Sequence, residues 1–303
     1  MTKTLISVVG PTAIGKTKLA IELAQYYKTE ILSADSRQFF KEMNIGTAVP
    51  SIVDLAAAKH HFIQHKSIHD PYSVGDFEKE AIALLDELFQ RHDVIILVGG
   101  SGLYVDAITK GLDNFPQVNQ EIRENLNKEL QTKGVTALQE QLKSLDLDYY
   151  NKVDIQNPHR LIRALEICIG TGKTYSSFLN KEKTKRSFKV LSVGINAERE
   201  SIYKRINERV DLMIENGLIN EVKALIEYKH LNALQTVGYK ELFNYFDGLW
   251  DLEFAISEIK KNTRRFAKRQ LTWFKKTESI LWVDYRDDVA TIISKIESSK
   301  NDE

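Results

Sequence analysis

Apolar residues gather in short runs over 4–9, 31–34 and 94–98, and the stretch 75–91 carries apolar positions at helical spacing. Strand-like runs alternating with helical patterns predict a parallel sheet covered by helices on both faces. A further run over 190–195 predicts another strand of the same sheet. From 114 to 186 the pattern turns charged, helical and strand-free, with helices predicted over 119–132, 135–142 and 159–170. Beyond it helices are predicted over 199–216, 218–228, 238–246 and 252–275, followed by a short strand over 279–283 and a tail, 298–303, expected to fray. No internal repeat or low-complexity linker interrupts the chain. The expected organisation is a core in two parts, 1–114 and 186–303, and an all-helical insertion domain, 115–185.

Composition narrows the class. An apolar content of 43% over 303 residues suffices for a sizeable core. No run of 18 apolar residues exists and Met1-Thr2-Lys3-Thr4 passes straight into the first strand, so no membrane span or signal peptide is expected and a cytoplasmic location is. Cys168 is the single cysteine, which excludes an internal disulfide and a cysteine-rich zinc site and suits a buried apolar filler. Lys and Arg (42) balance Asp and Glu (42), so only the distribution of charge is informative.

The first strand runs into Gly10-Pro11-Thr12-Ala13-Ile14-Gly15-Lys16-Thr17, which fits G-x-x-x-x-G-K-T, and a helix follows. In such a phosphate loop (P-loop) the backbone N–H groups turn inward around phosphate oxygens, Lys16 supplies a cation, and the Thr17 hydroxyl is placed to ligate Mg2+. The helix directs its positive end at the same anion. A polyphosphate ligand follows, whether or not it is a nucleoside triphosphate. The fold class is α/β, a P-loop parallel sheet flanked by helices, with the helical insertion.

The second strand is followed by Asp35-Ser36-Arg37-Gln38, at the sheet edge where ligands of open parallel sheets lie. Asp35 there serves as a base, meets a donor, or merely caps a turn. Ser36, Arg37 and Gln38 offer a hydroxyl, a guanidinium and an amide suited to a planar polar group. The third strand ends in Gly99-Gly100-Ser101-Gly102, where the backbone can approach a ligand and Ser101 can reach it. Residues 260–276 hold eight basic residues and no acid, with Arg264/Lys268 and Lys261/Arg265/Arg269 at i, i+4 spacing. That stripe fits a phosphate backbone without separating RNA from DNA or a nucleotide's phosphates. Phe266, Trp273 and Phe274 are expected to anchor the core. Asn157 and Pro158 open a helix on which Arg160 and Arg163 can face one anion, or pair with Glu166. His60-His61 lacks a third ligand at metal spacing, so structural or surface roles and no zinc are expected.

Taken in order, GPTAIGKT (10–17), DSRQFF (35–40), NIGTAVP (44–50), YSVGDF (72–77), GGSGLY (99–104), NPHRLIRALEI (157–167), INERVDLMIENGLINEV (206–222), QTVGYKE (235–241) and NTRRFAKRQLTWF (262–274) span nearly the whole chain. The set resembles the bacterial type of the tRNA dimethylallyltransferases, the tRNA isopentenyltransferase family. The resemblance implies transfer of a dimethylallyl group from dimethylallyl diphosphate to the exocyclic N6 of adenosine 37 in tRNA, with the phosphate loop holding that diphosphate and not ATP. It implies that Asp35 accepts a hydrogen bond or proton from N6, with Lys16 and Thr17 acting on the diphosphate and Mg2+ near Thr17. It puts the base against Asp35, Ser36, Arg37 and Gln38. RNA contacts are implied at Ser101, Arg123, His159, Arg160, Leu161, Ile162, Arg163, Lys240, Arg264, Lys268 and Arg269, with the insertion gripping the anticodon stem. Gln235 stands where some members carry Arg, which leaves a transition-state cation to Lys240 or to none. A monomer is expected. A small-molecule P-loop kinase is the alternative for the N-terminal half, but it has no use for 157–167 or 260–276.

Overall fold

In the computed structural model, residues 3–179, 185–277 and 279–301 are described. The chain forms two compact units, Met1–Lys110 with Arg186–Glu303, and Gly111–Lys185. The first opens with β1 (Thr4–Val9), α1 (Lys16–Tyr27), β2 (Ile31–Ser33), α2 (Ile52–Ala57), β3 (His60–His61), α3 (Val74–Leu88), β4 (Val94–Gly99) and α4 (Gly102–Thr109). The second holds α5 (Gln120–Lys133), α6 (Val135–Leu145), α7 (Leu147–Tyr150) and α8 (Pro158–Thr171). The first resumes with β5 (Lys189–Asn196), α9 (Arg199–Glu215), α10 (Leu218–Ala224), α11 (Tyr239–Phe246), α12 (Leu252–Phe274), β6 (Ile280–Asp284) and α13 (Val289–Asn301).

The six strands form one parallel sheet in the order β3-β2-β4-β1-β5-β6. Every residue of β1 is buried, because this central strand has neighbours on both sides and helices on both faces. One face packs Ile6, Val8, Ile96 and Val193 against Leu19, Leu23, Ile202 and Ile206; the other packs Leu5, Ile95 and Leu97 against Phe77, Leu85 and Ile108. A third cluster, around Tyr239, Leu242, Leu218 and Ile259, ties α10, α11 and α12 together. Arg186 returns the chain to this unit by donating to the Ala107 and Ile108 carbonyls and pairing with Glu78.

In the second unit, Leu126, Leu138, Leu142, Leu161, Ile162 and Leu165 form the core. Asn157 caps α8 by accepting the His159 and Arg160 N–H groups, and Pro158 opens the helix. Asp146 is buried and accepts from Ser176 and from the Tyr149 N–H. Residues 180–184 of the expected insertion lie outside the described residues.

The structure departs from the sequence expectations at several points. The two-residue strand β3 was not expected; such a short edge strand has no periodicity to read. The predicted 218–228 helix ends at Ala224 and tightens into a 3-10 turn, Ile226–Tyr228. The tail is helical through Asn301, since Ile292 and Ile296, one turn apart, are buried in the core, while residues 302–303 lie outside the described residues. Phe274 is buried, but Phe266 and Trp273 are each 38% exposed and so are not core anchors. Among the described residues, no helix is long and apolar enough to cross a membrane.

Candidate active site

The carboxyl ends of β1, β2 and β4 open into a cavity of about 720 Å³ in the first unit, lined on its other sides by residues of α9, α11 and α12. The loop between β1 and α1 supplies Thr12, Lys16 and Thr17. Gly15 ends that loop at φ 107°, a left-handed conformation that favours glycine, and α1 starts at the next residue. The Lys16 ammonium donates to the Pro11 carbonyl at 2.7 Å. Burial pushes its pKa down to about 8; the Asp35 carboxylate opposes that shift and the Arg209 guanidinium adds to it.

Three side chains that the sequence reading did not assign hold the loop. Gln270 Oε1 accepts the Thr12 backbone N–H at 2.9 Å, while its Nε2 donates to the Gly100 carbonyl at 2.8 Å. Arg205 Nε donates to the Ala13 carbonyl at 2.8 Å, and Arg209 Nη1 lies 3.4 Å from Thr12 Oγ1. Burial lowers the Arg209 pKa, with Asp35 acting in the opposite sense. The Thr12 N–H is therefore already paired within the protein, and Arg209 adds a second cation beside Lys16. The i, i+4 spacing of Arg205 and Arg209 within 206–222 and its flank is the sequence signal that could have found them.

The loop after β2 is more internally bonded than its residue types suggest. Asp35 Oδ1 accepts the Arg37 backbone N–H at 3.0 Å. Arg37 turns its guanidinium to the Asn232 and Ala233 carbonyls, both at 2.9 Å, and burial lowers its pKa. Through Nη1 it fastens the loop to a 3-10 turn, Asn232–Leu234. Gln38 Nε2 donates to the Thr47 and Ala48 carbonyls. Ser36 and Ser101 bond to one another at 3.3 Å, so the β2 and β4 ends meet as expected. Asp35, Ser36, Arg37, Gln38, Ser101, Lys240 and Arg269 all line the cavity.

The basic stripe on α12 is partly neutralised by acids from outside its own sequence window. Lys260 pairs with Asp211 of α9 at 2.6 Å, Lys261 pairs with Glu258, and Arg264 donates to Asn207 at 2.7 Å beneath the Tyr203 ring. Arg265, Lys268 and Arg269 are exposed. Phe266 faces the cavity with Arg269 over its ring.

Arg123, His159, Arg160, Leu161, Ile162 and Arg163 lie in the second unit. Arg123 and Arg163 share the buried Glu166 carboxylate, at 3.0 and 3.5 Å, so the ion-pair alternative holds for Arg163. Arg160 is exposed, whereas Leu161 and Ile162 are core residues whose side chains are withheld from any ligand. His61 bonds to Glu30 at 2.6 Å, a structural role.

Among the described residues no group of three or more His, Cys, Asp or Glu could hold a metal ion. The cavity nevertheless offers the Thr17 hydroxyl beside a phosphate loop. That donor chemistry fits Mg2+, which takes oxygen ligands and is commonly held by one or two protein groups together with substrate phosphates.

A family model described as IPP transferase matches residues 38–277. The tRNA dimethylallyltransferase of Christiangramia forsetii is 62% identical over 301 residues, covering 99% of this chain and 100% of that protein. Among solved structures, the full-length tRNA isopentenylpyrophosphate transferase of Bacillus halodurans superposes with a TM-score of 0.72 at 36% identity, over 99% of this chain and 96% of that one. A eukaryotic dimethylallyltransferase acting on tRNA superposes with a TM-score of 0.81 at 26% identity, over 94% of this chain and 75% of the other.

Proposed function

The chain belongs to the IPP transferase family, an enzyme that transfers a dimethylallyl group to tRNA, and on that premise we propose how its residues divide the work. The donor is dimethylallyl diphosphate, the acceptor is N6 of adenosine 37, and the enzyme acts in the cytoplasm as a monomer. The observation that carries the reading is a single cavity in which Lys16 and Arg209 stand at the phosphate loop, Asp35 is close enough to oppose the pKa shifts of both, and Ile206, Val210, Met213 and Ile259 supply an apolar wall.

An adenine N6 is a weak nucleophile, so the site has to orient it and relieve its proton. In the proposed step the N6 lone pair forms a bond to C1 of the dimethylallyl group as the C1–O bond to diphosphate breaks. The N6 proton passes to the Asp35 carboxylate. The negative charge that leaves with diphosphate is met by Lys16, Arg209 and the loop amides that remain free. Mg2+, held at the Thr17 hydroxyl and substrate phosphates, would neutralise diphosphate charge when bound. The apolar wall receives the dimethylallyl group and keeps water from C1.

Because N6 of a stacked base is out of reach, the nucleotide has to be turned out of the anticodon loop, a conformation that RNA loops adopt readily. Ser101, Lys240, Arg264, Lys268 and Arg269 contact the RNA in this reading. The second unit, with exposed His159 and Arg160 at the start of α8 and with Arg123 and Arg163, grips the anticodon stem.

Incubation of the protein with dimethylallyl diphosphate and unmodified tRNA, with and without ATP, tests the reading. Prenylated adenosine formed without ATP is expected. Phosphate transfer from ATP, with no prenylated nucleoside, would overturn it in favour of a kinase.

A further inference from the structure

Gly46, Thr47 and Ala48 form part of the cavity wall. The amides at the start of this segment are held by Glu221 of α10. The Asn44 and Ile45 N–H groups donate to Glu221 Oε2 at 3.1 and 2.7 Å, and that of Gly46 donates to Oε1 at 3.0 Å. Tyr239, wholly buried at the start of α11, donates its hydroxyl to the same Oε1 at 2.6 Å. Successive backbone amides converging on one anion make a nest, here filled by the chain's own carboxylate. The Tyr239 ring also packs on Gly46, where a β-carbon would fall 2.5 Å from Cε2.

The carbonyls of the same segment do a different job. Those of Thr47 and Ala48 accept from Gln38 Nε2 at 3.2 and 2.9 Å. A primary amide has two N–H donors, so both are committed, and what Gln38 can offer a ligand is the second lone pair of its Oε1, which already accepts the Ser33 hydroxyl at 3.2 Å. Were the segment free to shift, the amide could turn over and present donors instead.

We propose that Glu221 and Tyr239 are positioning residues for base selection: by clamping 44–48 they fix the Gln38 amide with its oxygen available as an acceptor. An acceptor matches the exocyclic amine of adenine and opposes the keto oxygen that hypoxanthine carries at the same position. The inference rests on the reading of Gln38 as base-facing.

The test compares binding of anticodon stem-loops carrying adenosine or inosine at the modified position, using the full-length protein and its Gln38→Leu, Glu221→Gln and Tyr239→Phe variants. KM for dimethylallyl diphosphate is measured alongside. Wild type is expected to prefer adenosine, and Glu221→Gln and Tyr239→Phe to reduce that preference by about three- to tenfold, the scale of one hydrogen bond, with the donor's KM unchanged. If Gln38→Leu leaves the preference intact, the base-facing reading of Gln38 fails, and the inference with it. If Gln38→Leu removes the preference while the other two variants keep it, the inference alone is overturned. Equal losses for both stem-loops and for the donor would show a merely structural role and overturn it too. Should Glu221→Gln not fold, Tyr239→Phe, which keeps the ring on Gly46, decides the matter.

Discussion

The Thr12 backbone N–H and the Gln270 side-chain oxygen, from opposite ends of the chain, are joined by a 2.9 Å hydrogen bond. Because Gln270 also donates to the Gly100 carbonyl, α12 fastens two of the loops that line the cavity. Gln270→Leu leaves a donor and an acceptor without partners, and a loss of about 1–3 kcal/mol in stability is expected, read by urea unfolding. KM for dimethylallyl diphosphate should rise in the same variant. Unchanged stability and KM would mean that the phosphate loop keeps its shape without Gln270.

The lowered Lys16 pKa gives a pH dependence with a definite sign. The protonated amine is the form that attracts diphosphate, and it is lost as pH rises through about 8 in the free enzyme. kcat/KM for dimethylallyl diphosphate should therefore fall above pH 8, approaching tenfold per unit. Lys16→Arg should move that limb upward, because a guanidinium stays charged throughout. A limb that persists in Lys16→Arg would assign it to another group.

Asp35→Ala should reduce turnover to background while tRNA binding is largely kept, measured by single-turnover assay and filter binding. General-base assistance alone contributes about 10²- to 10⁴-fold, and orientation of N6 adds to it. Loss of tRNA binding with normal chemistry on bound substrate would contradict the role given to Asp35.

Glu166 shares its single negative charge between Arg123 and Arg163, so RNA that uses these arginines competes with it. Glu166→Gln should tighten tRNA binding by a few-fold at low salt and steepen the slope of log K against log salt by up to about one. An unchanged salt slope would remove both arginines from the RNA contact.

Legibility in the sequence followed the range of the interactions. The apolar run of β1 and the glycine pattern of the phosphate loop are local, and both were read with their boundaries nearly right. Gln270 reaches the loop from a helix far along the chain, and no local pattern marks which way such a side chain turns. The basic stripe looked free because its window holds no acid, yet Asp211 on α9 pairs with Lys260. Arg37 was read by residue type as a ligand donor, and the bonds from its Nη1 to the Asn232 and Ala233 carbonyls are invisible to any motif. The helix α13 was missed since its apolar positions are interspersed with Ser and Lys, and its identity depends on Ile292 and Ile296 meeting a core assembled elsewhere.

The strand order also constrains synthesis on the ribosome. β1 is made first, but it pairs on one side with β4 and on the other with β5, whose first residue is Lys189. The whole of Gly111–Lys185 is translated before the second partner exists. Until then β1, apolar but for Thr4 and Ser7, has an open edge, while the short-range helical contacts of the inserted segment can already form. The phosphate loop, first to emerge, is therefore completed only once α12, which carries Gln270 to the Thr12 N–H, has been made.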